Sequence, residues 1–417
     1  MRRCIEQKRE GEALAAGQWE AIAAAFVEGA IDDAQMAALC MACVLRGMSF
    51  EETFALTKAM VESGDVLHFD APGRIVDKHS TGGVSDVVSL AAVPLAAACG
   101  ARVAKLSGRA LGHTGGTIDK LETIPGLVTA LPAERFIAIV ESVGCAIAAQ
   151  TEALVPADKR LYRLRDRTAT IPALGLIASS IVSKKIAGGA NAFVFDVKAG
   201  RAAFLPDAQR ATELAQWLVD LAARFEKRAI AFVTDMSQPL GRCIGTAIEI
   251  VEVRELLQGR GDDRAVELVL AISAALVEEA GAGDAAERTK RALADGSGYA
   301  KFTAMIAAQG GDVAAMERMR LTEGSVIGAP QSGYVRAIDA VALGNAARRL
   351  CENNALGGLR IEVRIGDRID RGSPLLTVFG PGRHVRDLAS AVELGDEPAA
   401  PPPLVYGRYE RSISAIM

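Results

Sequence analysis

The run RIVDKHSTGGVSDVVSLAAVPLAAA, residues 74–98, opens as a short apolar strand, Arg74-Ile-Val-Asp77. It passes through a glycine loop, Ser80-Thr-Gly-Gly83, and ends as a helix over about 86–98. Parallel strands cannot be joined by a tight turn, so a strand, loop and helix in this order is the unit of a parallel sheet covered by helices. The texture recurs. Arg102-Val-Ala-Lys-Leu106 runs into Ser107-Gly-Arg-Ala-Leu-Gly-His-Thr-Gly-Gly116 and a helix starting near Thr117. Ala192-Phe-Val-Phe-Asp-Val197 leads through Lys198-Ala-Gly200 to a helix at 206–225, and Ala229-Ile-Ala-Phe-Val-Thr234 leads into Asp235-Met-Ser-Gln-Pro-Leu-Gly241. Ligands of such sheets bind outside the carboxyl ends of the strands, which is where all four loops fall.

Outward from this core, residues 5–64 show apolar residues at helical spacing (Ile22, Phe26, Met36, Leu39, Cys43, Phe54, Leu56, Met60), with a capping-box pattern at Ser49-Phe-Glu-Glu52 and a similar one at Asp32. Residues 157–188 are helical again and return to this module. After about 325, Gly333–Asp339 and Leu359–Ile365 read as strands and 366–378 as a hairpin of lipoyl-like kind, although no lysine follows Lys301 to carry a swinging arm. The expected fold class is α/β. It comprises a helical domain (1–66 and 157–188), a larger α/β domain with a mixed, largely parallel sheet (72–150 and 190–320), and a C-terminal α+β portion (325–417).

Composition narrows the function. With 47 Lys and Arg against 51 Asp and Glu, the net charge is −4, and only 5% of the 417 residues are aromatic. Neither a counterion-releasing basic surface nor a base-stacking platform is available, so nucleic acid is not expected as a partner. No apolar run is long enough to span a membrane, and the basic start lacks an apolar segment behind it. Seven scattered cysteines fit a reducing cytoplasm. Cys40 and Cys43 lie in an apolar helical stretch and read as core, not as a metal or redox pair. No metal site is expected.

The glycine loops match neither the Walker nor the dinucleotide motif. Their chemistry is oxyanion capture: backbone N–H groups freed by glycine point into one concavity, and Lys78, Ser80, Ser89, Ser107 and Thr117 supply an ammonium and hydroxyl donors, a set that suits phosphate. His79, inside the first loop on this reading, and His113, in the second, have the titration range for proton exchange.

Lys78-His-Ser-Thr-Gly-Gly-Val84 followed by Ser107–Glu122 strongly resembles the thymidine and pyrimidine-nucleoside phosphorylases. The resemblance continues through Pro156–Lys159, Tyr162–Asp166, Ile177–Lys185, Asp196–Lys198 and Met236–Gly241, covering about residues 5–320 well and the remainder more loosely. It implies reversible phosphorolysis, in which phosphate attacks C1′ of a pyrimidine nucleoside and releases the base and an α-pentose 1-phosphate. It also implies a homodimer formed through the helical domain and no required cofactor, phosphate being a co-substrate. By matching motifs, Lys78, Ser80, Ser89, Ser107 and Thr117 hold phosphate; Arg165, Ser180 and Lys184 bind the pyrimidine; and His79 stands near the base, making His79, Arg165 and Lys184 the catalytic set. Some members bind potassium through carbonyls of the first loop and an acid at the position of Glu252. Ser85 alters one contributing position. Ser85 and Val88 replace the usual Gly and Thr, and Arg201 enlarges a loop that is usually small and glycine-rich. Two other readings stand beside this one: an anthranilate phosphoribosyltransferase-like enzyme, whose pyrophosphate and magnesium patterns are not found, and a non-catalytic ligand-binding paralogue.

Overall fold

The computed structural model describes residues 1–70, 72–109, 115–151, 153–321, 323–352, 354–380 and 388–411. The chain opens with four helices, α1 (Arg2–Arg9), α2 (Ala16–Val27), α3 (Asp33–Arg46) and α4 (Phe50–Val61). Ser49 caps α4 in a full capping box, its Oγ accepting from Glu52 N–H while the Glu52 carboxylate accepts from Ser49 N–H. Asp32 caps α3. Cys40 and Cys43 point into the helical core, and burial pushes their thiols up to about 11 and about 12.

The next stretch alternates strand and helix: β1 (Ile75–Ser80), α5 (Val88–Ala98), β2 (Arg102–Ser107), α6 (Thr117–Leu121), α7 (Ala133–Val143), β3 (Cys145–Ala149), α8 (Pro156–Arg167), α9 (Leu174–Ala187), β4 (Ala192–Ala199), α10 (Ala208–Arg224) and β5 (Arg228–Asp235). After β6 (Cys243–Gly245) come α11 (Ala247–Leu257), α12 (Asp263–Glu279), α13 (Ala285–Ala294), α14 (Ser297–Ala308) and α15 (Val313–Arg318). The chain then runs through β7 (Ser325–Gly328), β8 (Gly333–Ile338), α16 (Ala340–Cys351), β9 (Gly358–Ile361), β10 (Arg368–Ile369), β11 (Pro374–Phe379), β12 (Val392–Gly395) and β13 (Val405–Glu410).

The main sheet has the order β13-β5-β4-β1-β2-β3, parallel throughout except for β13, which pairs antiparallel with β5. Its central strands are apolar on both sides because both faces are covered. Along β4, Ala192 and Val194 join one core with Val88, Leu90 and Ile272, while Phe193, Phe195 and Val197 join the other, which is continuous with the helical module. Helices α8 and α9 return to that module, α9 packing on α4. Among the described residues, no helix is long and apolar enough to cross a membrane.

Several expectations change. β1 runs through Ser80, so Lys78 and His79 lie on a strand and not in the loop. Residues 366–378 are not a hairpin: β10 pairs with β8 in one sheet, and β11 with β7 and β9 in another. The strand expected over 359–365 ends at Ile361. β13 leaves the C-terminal part to edge the main sheet, whereas β6, before residue 320, joins the four-stranded sheet β6-β9-β11-β7. His113 lies outside the described residues.

Candidate active site

The carboxyl ends of β1 and β2 face α8 and α9 across a cleft of ≈ 420 Å³. One wall carries the two glycine loops, with Ser80, Ser89, Ser107 and Thr117 directed to the cleft; the opposite wall carries Tyr162, Arg165, Ser180 and Lys184. Of the residues expected to bind, all but Lys78 line this cleft. Lys78 shares a face of β1 with Ser80, but it sits two residues back from the strand's carboxyl end, where Asp196 of the neighbouring β4 takes up its ammonium. The Lys78 ammonium is fully buried beneath the loop, 3.0 Å from Asp196 Oδ2 and 3.2 Å from Ser89 Oγ. Asp196 also pairs with Lys198 at 2.8 Å and accepts from Thr234 Oγ1 at 2.6 Å.

The cleft's own ammonium on this wall is Lys105. It is 2% exposed; among the described residues its one polar contact is the carbonyl of Leu106 at 3.4 Å, and no carboxylate pairs with it. Burial lowers its pKa well below the ordinary value, and Lys185 and Lys78 add to this against the opposing pull of Asp77. The sequence holds a signal for it: Lys105 precedes Ser107 by two on a strand and so shares its face. Asp86 is a second unanticipated lining residue. It accepts from Ser80 Oγ at 2.6 Å and Val88 N–H at 3.2 Å. Burial works to raise its pKa, but Lys198, Lys78, the Ser80 hydrogen bond and Lys120 outweigh that and hold it well below the usual carboxylate range.

On the facing wall, Lys184 Nζ lies 2.6 Å from Asp158 Oδ2 and 2.6 Å from Ser180 Oγ, with the Tyr162 ring centroid at 5.4 Å. Arg165 is 1% exposed and spends its guanidinium largely on structure: it donates to the carbonyls of Thr170, Ile171 and Leu176, holding the turn between α8 and α9. His79 stands between the walls. Burial, then the ammonium groups of Lys185, Lys105, Lys184 and Lys78, push its pKa well below the ordinary imidazole value, so it is neutral at pH 7.

Arg201 is exposed and does not line the cleft. The loop holding it turns at Gly200, whose φ of +126° favours glycine and where a Cβ would lie 2.4 Å from Ser237 N.

A potassium ion beside the first loop requires room and oxygen donors near Glu252. Both Glu252 oxygens accept backbone N–H groups, from Arg242 at 2.5 Å and Cys243 at 3.0 Å, and Ser85 Oγ stands 3.5 Å away. A Cβ at Gly241 would lie 2.6–2.7 Å from both carboxylate oxygens and 2.6 Å from Ser85 Oγ, so the position takes only glycine.

Comparison with known proteins agrees with this architecture. Residues 72–299 match the glycosyl transferase family α/β domain and residues 2–64 its helical bundle domain. Pyrimidine-nucleoside phosphorylase of Geobacillus stearothermophilus is 41% identical over 97% of this chain and 98% of its own length. Human thymidine phosphorylase is 41% identical over 96% and 90%, and that of Mycobacterium tuberculosis 41% over 97% of each. The solved anthranilate phosphoribosyltransferase of Thermus thermophilus superposes with a TM-score of 0.59 at 20% identity, covering 73% of this chain and 99% of that one, a likeness of fold alone. Near-full-length identity at this level, with both domain models in place, means that the chain belongs to the family of the pyrimidine-nucleoside and thymidine phosphorylases.

Proposed function

We propose that this chain catalyses the reversible phosphorolysis of pyrimidine nucleosides to free base and α-pentose 1-phosphate. The observation that carries the proposal is the facing of two unlike walls across one cleft: hydroxyls, glycine N–H groups and an unpaired lysine on one side, and a hydrogen-bonded Lys184 on the other. Phosphate rests among Ser80, Ser89, Ser107 and Thr117 beside Lys105, while Lys78 contributes its charge from below through Ser89. The base lies against Ser180, Lys184 and the edge of Arg165. As phosphate closes on C1′ and the glycosidic bond lengthens, negative charge builds on the pyrimidine and meets the Lys184 ammonium. Holding both reactants in one cleft supplies proximity, and no covalent intermediate with the protein is required. A neutral His79 orients the base by hydrogen bonding and does not deliver a proton from an imidazolium.

The reading includes no metal and no required cofactor. It places the protein in a reducing cytoplasm, supported by free cysteines at all seven positions. It also makes the protein a homodimer through the helical module, supported by Leu45, 74% exposed, and Met41, 38% exposed, one turn apart on α3.

The test is release of free base from uridine or thymidine with and without phosphate. Release only with phosphate, together with pentose 1-phosphate formation, is the expected result. Equal release without phosphate makes the protein a hydrolase, and no release under any condition favours the ligand-binding paralogue.

A further inference from the structure

Lys120 belongs to neither wall of the cleft, yet it touches the supports of both glycine loops. It lies on α6, directly after the second loop, and is 1% exposed. Its stem packs against Gly115, near the end of that loop, where a Cβ would lie 3.0 Å from Lys120 Cε. Its ammonium donates to the main-chain carbonyl of Asp86, at the end of the first loop, at 3.1 Å, and stands 2.6 Å from Glu249 Oε2 on α11. Glu249 is itself fixed, its Oε1 accepting from Gly245 N–H at 3.1 Å. Asp86 in turn receives the Ser80 hydroxyl at 2.6 Å. One buried cation thus joins the two loops to each other and to α11. A five-residue helix has too few internal hydrogen bonds to hold that spacing alone.

We propose that Lys120 is a positioning residue that sets the distance between the two phosphate loops and, through Asp86, the direction of the Ser80 hydroxyl, and so governs the affinity for phosphate. The proposal rests on the phosphorolysis reading above. It differs from a general structural role in its kinetic signature, since Lys120 shares no hydrogen bond or ion pair with the described base-side residues Tyr162, Arg165, Ser180 and Lys184.

The experiment compares wild type with Lys120→Met, Lys120→Arg and the double variant Lys120→Met/Glu249→Gln. The double variant avoids leaving one buried charge unpaired. The expected result is a phosphate KM raised roughly tenfold or more in the Met variants, with nucleoside KM and turnover at saturating phosphate within about threefold of wild type, and partial rescue in Lys120→Arg. If the Met variants do not fold, Lys120→Arg decides: it keeps the charge but not the spacing, and must raise phosphate KM severalfold. Unchanged phosphate KM in a folded variant, or a parallel loss in every parameter, overturns the proposal. Wild-type base release without phosphate overturns the phosphorolysis reading itself, an outcome distinct from a phosphate-dependent wild type with indifferent variants.

Discussion

The Asp158 carboxylate and the Lys184 ammonium lie 2.6 Å apart, bridging α8 and α9, and Asp158 is 2% exposed while Lys184 still reaches the cleft. With Ser180 Oγ as its other partner, Lys184 is aimed before any base arrives, and pre-aimed charge is what transition-state stabilisation rewards. Lys184→Ala is expected to lower turnover by roughly 10²–10³ and, by stranding the buried Asp158 carboxylate, to lower the melting temperature, whereas Lys184→Ala/Asp158→Asn recovers the melting temperature but not the turnover. Steady-state kinetics and thermal unfolding of the same preparation check it. Arg165 offers no such separation, because its loss strands three carbonyls.

Lys105 links anion binding to protons. Its pKa is well below the ordinary value, chiefly through burial; a phosphate beside it favours the charged form and moves it back up. A group whose pKa rises on binding takes up a proton as the ligand binds, so phosphate affinity weakens as pH rises above the free-cleft value. Calorimetry of phosphate binding in two buffers of different ionisation enthalpy is expected to show net proton uptake in wild type, reduced in Lys105→Met.

Replacing potassium by tetramethylammonium at fixed ionic strength is expected to leave both the melting temperature of the ligand-free protein and its turnover unchanged. The basis is that both Glu252 oxygens already accept backbone N–H groups, from Arg242 and Cys243. An ion that binds only the folded state raises its stability in proportion to occupancy, so a potassium-dependent rise in melting temperature counts against this account.

Arg201→Gly is expected to leave the phosphate KM and the preference between ribose and deoxyribose within about twofold of wild type, as for most exposed substitutions away from a site. Its side chain is exposed and outside the cleft lining. A several-fold change in either quantity, measured by steady-state kinetics, would show that the guanidinium reaches the substrate when the walls close.

The strands that feed glycine loops were legible because a change of period and a cluster of glycines mark the same point. β3 was not: Cys145-Ala-Ile-Ala-Ala149 is made mostly of small residues and leads into no glycine loop, and its place is set by packing beside β2. Residues 366–378 carry turn residues at Gly366 and Gly372, but which strand pairs with which was settled by partners distant in sequence. In the site, residue types pointed to an anion and the family resemblance to a base, but neither showed how buried lysines divide their work. Lys78 carries the motif but spends its ammonium on Asp196, whereas Lys105, two residues before Ser107, stands unpaired.

The antiparallel pairing of Val405–Glu410 with β5 sets an order on biosynthesis. When β5 leaves the ribosome, its outer edge has no partner, and it stays so while α11 to α16 and both smaller sheets are still being made. An unfilled strand edge is a template for other chains. The nascent protein therefore carries an open strand edge through most of the second half of translation.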